Sequence, residues 1–259
     1  MDTDQKQNKD DLRKSRRERR MQFWAHVEEF RTRLGRVIIG LLVTFSISLA
    51  FTEQVLQILL DYMNAVKPVA LHPTESIVVY FRVAMLLGVV LVMPYLLYQI
   101  LAFFLPGLKR SERRILVTSV FGLGFFFALG VTFAAFVMVP LAVGYLQGFM
   151  NDLVQPTYSI DGYISFVTTI MLSAGIIFET PLLLGLIARM GLVTAKQLSK
   201  GRRVALVSIA VLAAVVTPTP DAFNMLLVMA PLVVLYEVGI FLAWLAERAR
   251  RKALAMEAV

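Results

Sequence analysis

The 259-residue sequence contains no cysteine and only two histidines, His26 and His72. Without cysteine the chain can form no disulfide bond, thiolate nucleophile or zinc–sulfur site, and two histidines argue against a histidine-built metal centre. Its long apolar segments also contain no Ser–His pair, no paired catalytic aspartates and no His-Glu-x-x-His motif. The sequence therefore favours a protein that is not an enzyme and that needs no metal or cofactor.

Charged residues are scarce too, at 17% of the chain, whereas hydrophobic residues make up 58%. The apolar residues form long runs rather than amphipathic stripes, which is typical of an all-α, polytopic membrane protein. Six transmembrane helices are predicted, at about Val37–Phe51, Ile77–Phe104, Ile115–Val139, Gly162–Ala188, Val204–Val216 and Ala222–Ala246. The fifth has thirteen residues, which reach only about 20 Å in a helix and fall short of a ~30 Å hydrocarbon core.

The net charge of +8 is concentrated between these spans. Of the 26 basic residues, eleven lie in residues 1–36, four in 109–114, five in 189–203 and four in 248–252. Because pairs of apolar segments separate these clusters, six spans place all of them, and both termini, on the cytoplasmic face. The charge therefore indicates topology and an attraction to anionic lipids, not nucleic-acid binding.

Polar segments divide the rest of the chain. Residues 1–20 are predicted to be a disordered basic cytoplasmic tail, 21–247 a single transmembrane domain and 248–259 a second basic tail. Within the domain, residues 21–36 show helical spacing of apolar side chains, which predicts an interfacial helix with Trp24 at headgroup level. A second amphipathic piece is expected after the first span, at Glu53–Met63.

Glu179 interrupts the fourth apolar run and is followed two residues later by Pro181. An ionised side chain at the bilayer centre costs at least about 2.5–3.5 kcal/mol on insertion scales, so such a residue normally faces protein or water. Proline removes a backbone donor, which predicts a kink beside the carboxylate. A buried glutamate tied to a neighbouring helix would explain the residue, but a functional site explains it better.

Four stretches together resemble one family, the TatC family, the multi-spanning receptor of the twin-arginine protein translocase. They are HVEEFRTRL (His26–Leu34), FFLPGLKRSERR (Phe103–Arg114), FETP (Phe178–Pro181) and TPTPDAFNMLLVMAPLVVLYEVG (Thr217–Gly239). The resemblance implies a concave, glove-like bundle with short fifth and sixth spans, in a bacterial or archaeal cytoplasmic (inner) membrane. One departure is Met225, where the family often has Gln, and neighbouring Asn224 could substitute.

The resemblance also implies a set of site residues and partners. On the cytoplasmic face, Glu29 and Glu112 would bind the twin arginines of signal peptides. Their expected neighbours in this site are Arg31, Phe103, Pro106, Leu108 and Arg113. An intramembrane polar site for small single-span subunits of the TatA and TatB type would comprise Glu179, Pro181, Asp221 and Glu237. Self-association of the chain is expected as well.

The residues leave alternatives open. Glu29 could simply pair with Arg33 one helical turn later, and Glu112 could be a solvated loop charge. Glu237 could share a hydrogen-bonded network with span four, and Arg82 is expected to extend to the outer surface without reaching Glu179. The alternative function is a proton-coupled secondary transporter of a small solute, for which an intramembrane glutamate beside proline is a fair signature.

Overall fold

The structure is a computed structural model that describes residues 2–63, 67–104, 110–149, 157–217 and 221–257. Side chains are described for Trp24 and for residues 26–63, 67–103, 120–149, 157–217 and 221–252. The helices are α1 (Asp2–Ser48), α2 (Thr52–Asp61), α3 (Glu75–Phe104), α4 (Arg110–Phe133), a π-helical turn (Ala134–Met138), α5 (Val139–Gly148), α6 (Ile160–Phe178), α7 (Thr180–Met190), α8 (Ala195–Lys200), α9 (Arg202–Val216) and α10 (Ala222–Glu257).

Helix α1 runs without a break through three segments that the sequence separates. It includes residues 2–20, the predicted disordered tail, and it joins the predicted interfacial helix directly to the first span. Lys, Arg, Gln and Glu are good helix formers, and a helix that already exists extends more easily than a new one begins. At the other end, α10 continues past the predicted boundary at residue 248. The division into one domain and two tails stays a prediction.

Among the residues that the structure describes, four segments are long and apolar enough to cross a membrane: Glu75–Phe103, Val120–Gly148, Ile160–Met190 and Ala222–Lys252. There is a fifth candidate span if the helical segments His26–Ser48 and Thr52–Asp61, which meet at an angle of 70°, count as one span. The predicted fifth span corresponds to α9. This helix has 15 residues and is shorter than the 18 residues required of a candidate span. The last candidate has 31 residues, so the prediction of a short sixth span is wrong.

Glycines allow the long helices to approach one another closely. A β-carbon at Gly130 of α4 would lie 2.6 Å from the carbonyl oxygen of Ala174 in α6, and one at Gly175 would lie 2.7 Å from the Phe127 ring. A β-carbon at Gly124 would lie 2.5 Å from Pro94 of α3. The glycines thus allow close helix packing, and the contacts bring α3, α4 and α6 into one apolar core.

Contacts at one end of the bundle join the segment before α3 to the segment before α6. Backbone hydrogen bonds link Val69 to Tyr158 and Ile160, at 2.9 and 3.0 Å. Nearby, Arg82 Nη1 lies 2.7 Å from Asp161 Oδ1. Arg82 therefore binds a carboxylate near its own end of the bundle, and the expectation that it does not pair with Glu179 is confirmed.

Candidate functional site

The helix that carries the intramembrane carboxylate is interrupted at the carboxylate itself. Helix α6 ends at Phe178 and α7 begins at Thr180, so Glu179 lies between them. Pro181 has no N–H, so the carbonyl of Ile177 loses its helical partner. The Glu179 N–H instead donates to Ile176 O, three residues back, at 3.2 Å. The predicted break beside Glu179 is confirmed, and proline is its cause.

Glu179 is 4% exposed and is surrounded by packed helices. Helical periodicity places it on the same face as Gly175 and Leu182, and both of these contact α4, at Phe127 and Gly122 respectively. Among the side chains that the structure describes, none forms a hydrogen bond with Glu179 Oε1. A buried carboxylate oxygen without a donor is costly, so this position is not explained by an internal polar network.

Glu237 does not belong to the same site, and this part of the predicted cluster is wrong. Its carboxylate accepts two hydrogen bonds from Arg202 of α9, Nε–Oε1 at 2.7 Å and Nη2–Oε2 at 2.9 Å. Two residues later, Gly239 lies against Pro181 of α7. Residues two apart on a helix point in roughly opposite directions, so Glu237 faces away from α7. Among the described side chains, Glu237 thus pairs with Arg202 and not with span four, the alternative that the sequence left open.

Asp221 caps the start of α10. Its Oδ1 accepts a hydrogen bond from the Asn224 backbone N–H, and its Oδ2 accepts one from Asn224 Nδ2, both at 2.8 Å. Eighteen residues, or about 27 Å of helix, separate Asp221 from the Gly239 contact with Pro181. Asp221 and Glu179 are thus at different levels of the bundle. Asn224, the proposed substitute for a polar residue at position 225, is buried beside Asp221.

The middle of α1 packs on the end of α3, where the sequence places the signal-peptide site. The Phe103 ring stacks on His26, with centroids 4.3 Å apart and planes at 20°, and it also contacts Phe30 at 5.5 Å. These three rings join the first resembling motif to the beginning of the second. Phe103 and Glu29 therefore lie in one surface region, as predicted.

The carboxylate of Glu29 is already engaged by a guanidinium. Arg33 donates to Glu29 Oε1 from Nη2 at 2.6 Å and from Nε at 2.9 Å, and its Nη1 donates to Gln99 Oε1 at 3.1 Å. The i,i+4 pair considered for Glu29 is therefore present. The sequence reading missed Gln99, although a polar side chain within the apolar run of α3 was a usable signal.

The other predicted residues of this surface divide into two groups. Arg31 forms an ion pair with Glu28 and is highly exposed, so it points away from the Glu29 carboxylate. Pro106 and Leu108 lie outside the described residues, as do the side chains of Glu112 and Arg113. In the part of the chain with described side chains, no group of three or more His, Cys, Asp or Glu could hold a metal ion.

Comparisons with known proteins agree along most of the chain. A family described as Sec-independent protein translocase protein (TatC) matches residues 25–231. The chain belongs to the TatC family. The TatC protein of Carboxydothermus hydrogenoformans is 33% identical over 225 residues, 86% of this chain and 93% of its own. That of Aquifex aeolicus is 34% identical over 233 residues, 88% of this chain and 96% of its own.

The fold agrees as well. A crystal structure of the twin-arginine translocase receptor TatC superimposes with a TM-score of 0.74 at 34% identity, covering 85% of this chain and 99% of that one. As a TatC protein, the chain is an all-helical, multi-pass membrane component of a protein translocase and is not an enzyme. The family assignment favours the translocase prediction over the proton-coupled transporter.

Proposed function

We propose that this TatC protein is the core receptor subunit of a twin-arginine translocase and that it binds signal peptides where α1 meets the end of α3. The observation that carries the proposal is the arrangement of Glu29, Arg33 and Phe103 on one surface. A guanidinium group already donates two hydrogen bonds to one oxygen of the Glu29 carboxylate, so this carboxylate can accept an arginine side chain. Once bound, a signal peptide would initiate assembly of the complex that exports folded proteins.

The exposure of Glu29 is suited to this exchange. Its side chain is 36% exposed, and Oε1 accepts both bonds from Arg33 while Oε2 lies 3.9 Å from His26 Nδ1. An incoming arginine can therefore approach Oε2 or replace Arg33 at Oε1. The pair is partly exposed, with Arg33 at 22%, and surface i,i+4 pairs are worth only about 0.3–0.5 kcal/mol, so replacing it costs little. Glu112, whose side chain lies outside the described residues, is proposed as the second carboxylate of the site.

The proposed topology has six spans with both termini in the cytoplasm of a bacterial or archaeal cell. The basic residues support this orientation. Arg33 contacts α3 at its last turns, and both Arg202 and Arg250 lie at the basic segment 189–203, Arg202 at the start of α9 and Arg250 beside Gly191. Helix α9, at 15 residues, would be the short fifth span. Hydrophobic mismatch of this size can be met by local thinning of the bilayer.

Glu179 is proposed to bind the small single-span subunits of the translocase. Its buried carboxylate oxygen has no hydrogen-bond donor among the described side chains, so a polar side chain from a partner helix would gain a charge-assisted bond there. Pro181 supports this role because it opens the helix at that level. Asp221 and Glu237 are not proposed as members of this site, since each is held elsewhere.

The signal-peptide site can be tested by photocrosslinking with the probe in the precursor, beside its arginine pair, so that the receptor surface is unaltered. We expect crosslinks to this chain from a twin-arginine precursor and not from its twin-lysine version. Glu29→Gln and Glu112→Gln should each abolish them, whereas Glu28→Gln, a matched change one residue away on the Arg31 side, should not. Persistence of the crosslink in the Glu29→Gln/Glu112→Gln double variant would exclude the proposed site.

A further inference from the structure

The last turns of α10 present two different faces. One face packs on the chain itself: Ala243 is fully buried with Ala188 and Ala195, and the Ala195 N–H donates to Glu247 Oε1. On the same side, the Arg250 guanidinium lies so close to Gly191 that a β-carbon there would be 1.7 Å from Nη1. This face holds the connection between α7 and α8 against α10.

The other face carries Trp244, Arg248, Arg251 and Lys252, spaced four, three and one residues apart. Together with Glu247 these side chains line an open cleft of about 320 Å³. The Arg248 guanidinium carbon lies 5.7 Å from the centre of the Trp244 ring, a cation–π contact. All three cations are exposed, and the Arg251 side chain is 82% exposed.

The charge of the cleft is positive after its own carboxylate is counted. Three cations and Glu247 leave a formal charge of +2, and Glu247 Oε1 already accepts a hydrogen bond from the Ala195 N–H. Arg251 Nη2 is 3.6 Å from Glu247 Oε2, too long for a good hydrogen bond, so most of its donors remain available. The cleft therefore fits an anion with several acceptor oxygens.

The neighbouring surface identifies the kind of anion. One turn before Trp244, Phe241 is 57% exposed, and its ring stacks on Trp244 with centroids 6.1 Å apart. Along this face of α10 the order is thus an exposed apolar ring, an interfacial Trp and then three cations. The same order occurs across one leaflet of a bilayer, from acyl chains through the interface to phosphates.

We propose that the cleft formed by Trp244, Arg248, Arg251 and Lys252 binds the phosphate headgroup of an anionic phospholipid, whose acyl chain lies along Phe241. The proposal rests on the cytoplasmic orientation of α10 given above, and not on where signal peptides bind. The lipid would secure the end of α10, which in turn holds the α7–α8 connection. A free phosphate offers the same oxygens but has no acyl chain to contact Phe241.

The chain has only two tryptophans, so Trp24→Phe leaves Trp244 as the sole indole reporter in the full-length protein. We expect brominated phosphatidylglycerol in nanodiscs to quench Trp244 more strongly than brominated phosphatidylcholine at the same mole fraction. An enrichment of about fivefold corresponds to one basic side chain engaged at the surface. The Trp244 fluorescence of each variant is normalised to that of the same variant in unbrominated lipid, because the contact with Arg248 itself affects the fluorescence of the indole.

The triple variant Arg248→Gln/Arg251→Gln/Lys252→Gln should remove the preference for the anionic lipid. The matched control, Lys196→Gln/Lys200→Gln/Arg203→Gln, removes equal charge from exposed residues of α8 and α9 and should keep it. Inorganic phosphate at matched ionic strength should not compete. Equal quenching by both lipids, equal loss in the two triple variants, or full competition by phosphate would overturn the proposal. Signal-peptide crosslinking, measured separately, does not enter this result.

Discussion

Two carboxylates on helices, Glu29 and Glu179, are held in opposite ways. Glu29 is partly exposed and its Oε1 accepts two hydrogen bonds from a guanidinium one turn away. Glu179 is 4% exposed, and its Oε1 accepts none from the described side chains. The exposed group, which water could solvate, is paired within the chain, whereas the buried group, which needs a partner, has an oxygen left without one.

This difference indicates where each residue acts. A surface pair of low strength can exchange one arginine for another, which is suited to reversible recognition of a signal peptide. An unsatisfied buried carboxylate lowers the stability of the isolated chain and is retained only if something else gains from it. The contrast agrees with the proposed roles, in which Glu29 exchanges one arginine for another and Glu179 binds a partner that arrives through the membrane. The predictions below test this contrast, from the largest expected effect to the smallest.

Glu179→Leu should separate stability from function most clearly. Replacing the carboxylate, with its unsatisfied buried oxygen, by an apolar side chain of similar size should raise the free energy of unfolding by about 1–3 kcal/mol. Export of a twin-arginine precursor should be lost, because a partner helix would find no carboxylate. Thermal unfolding in detergent, followed by tryptophan fluorescence, and an export assay in cells measure the two effects.

The control for this change is Thr168→Val in the same helix. Thr168 is also buried, but its hydroxyl donates to Ile164 O at 2.6 Å, so its removal should bring no comparable gain in stability. A decrease in stability in Glu179→Leu would show that the carboxylate has a partner within the chain. Signal-peptide crosslinking should be unchanged in both variants.

Phe103→Ala should weaken signal-peptide binding less severely than loss of Glu29. The Phe103 ring holds the middle of α1 against the end of α3 through His26 and Phe30. An aromatic pair is worth about 0.5–1.5 kcal/mol beyond its buried area, so an affinity loss of roughly two- to twelvefold is expected. Titration of a fluorescent signal peptide measures it. Phe103→Tyr, which keeps the ring, should bind normally, and unaltered binding in Phe103→Ala would contradict the positioning role.

Arg33→Gln should produce the smallest effect, in the opposite direction. It frees the Glu29 carboxylate from its internal competitor, so a twin-arginine peptide should bind up to about twofold more tightly, the equivalent of one exposed i,i+4 pair. The same peptide titration measures the change, and Arg36→Gln, which removes an equal charge from α1, serves as the control. Weaker binding in Arg33→Gln alone would mean that Arg33 positions Glu29 for the peptide and does not compete for it.

The sequence predicted some features of the fold and missed others for physical reasons. Long apolar runs predicted the four segments that can cross a membrane, because hydropathy depends only on composition. Hydropathy placed the last span at about Ala222–Ala246 but did not show that the helix continues to Glu257, since a basic segment can extend a helix beyond its apolar part. It also separated α1 into three segments on the basis of polarity, although helix formation does not stop where polarity changes.

The candidate site shows the same division. Glu179 and the break caused by Pro181 could be predicted, because the cost of a buried charge and the missing N–H of proline are properties of single residues. The grouping of Glu237 with Glu179 was wrong, because both are acidic residues in apolar runs but face different helices. Gln99 was missed because its role depends on Arg33, which lies 66 positions away along the chain.

The sequence by itself determined that this protein is a helical membrane protein of the TatC family, with an ionisable residue at a proline break. These properties follow from composition, local spacing and the chemistry of individual residues. Only the tertiary structure decided which charges meet: Arg202 with Glu237, Arg82 with Asp161, Arg33 with Gln99 and Glu29. Ion pairs and hydrogen bonds form within about 4 Å, and that distance is set by the rotation and packing of helices from distant parts of the chain.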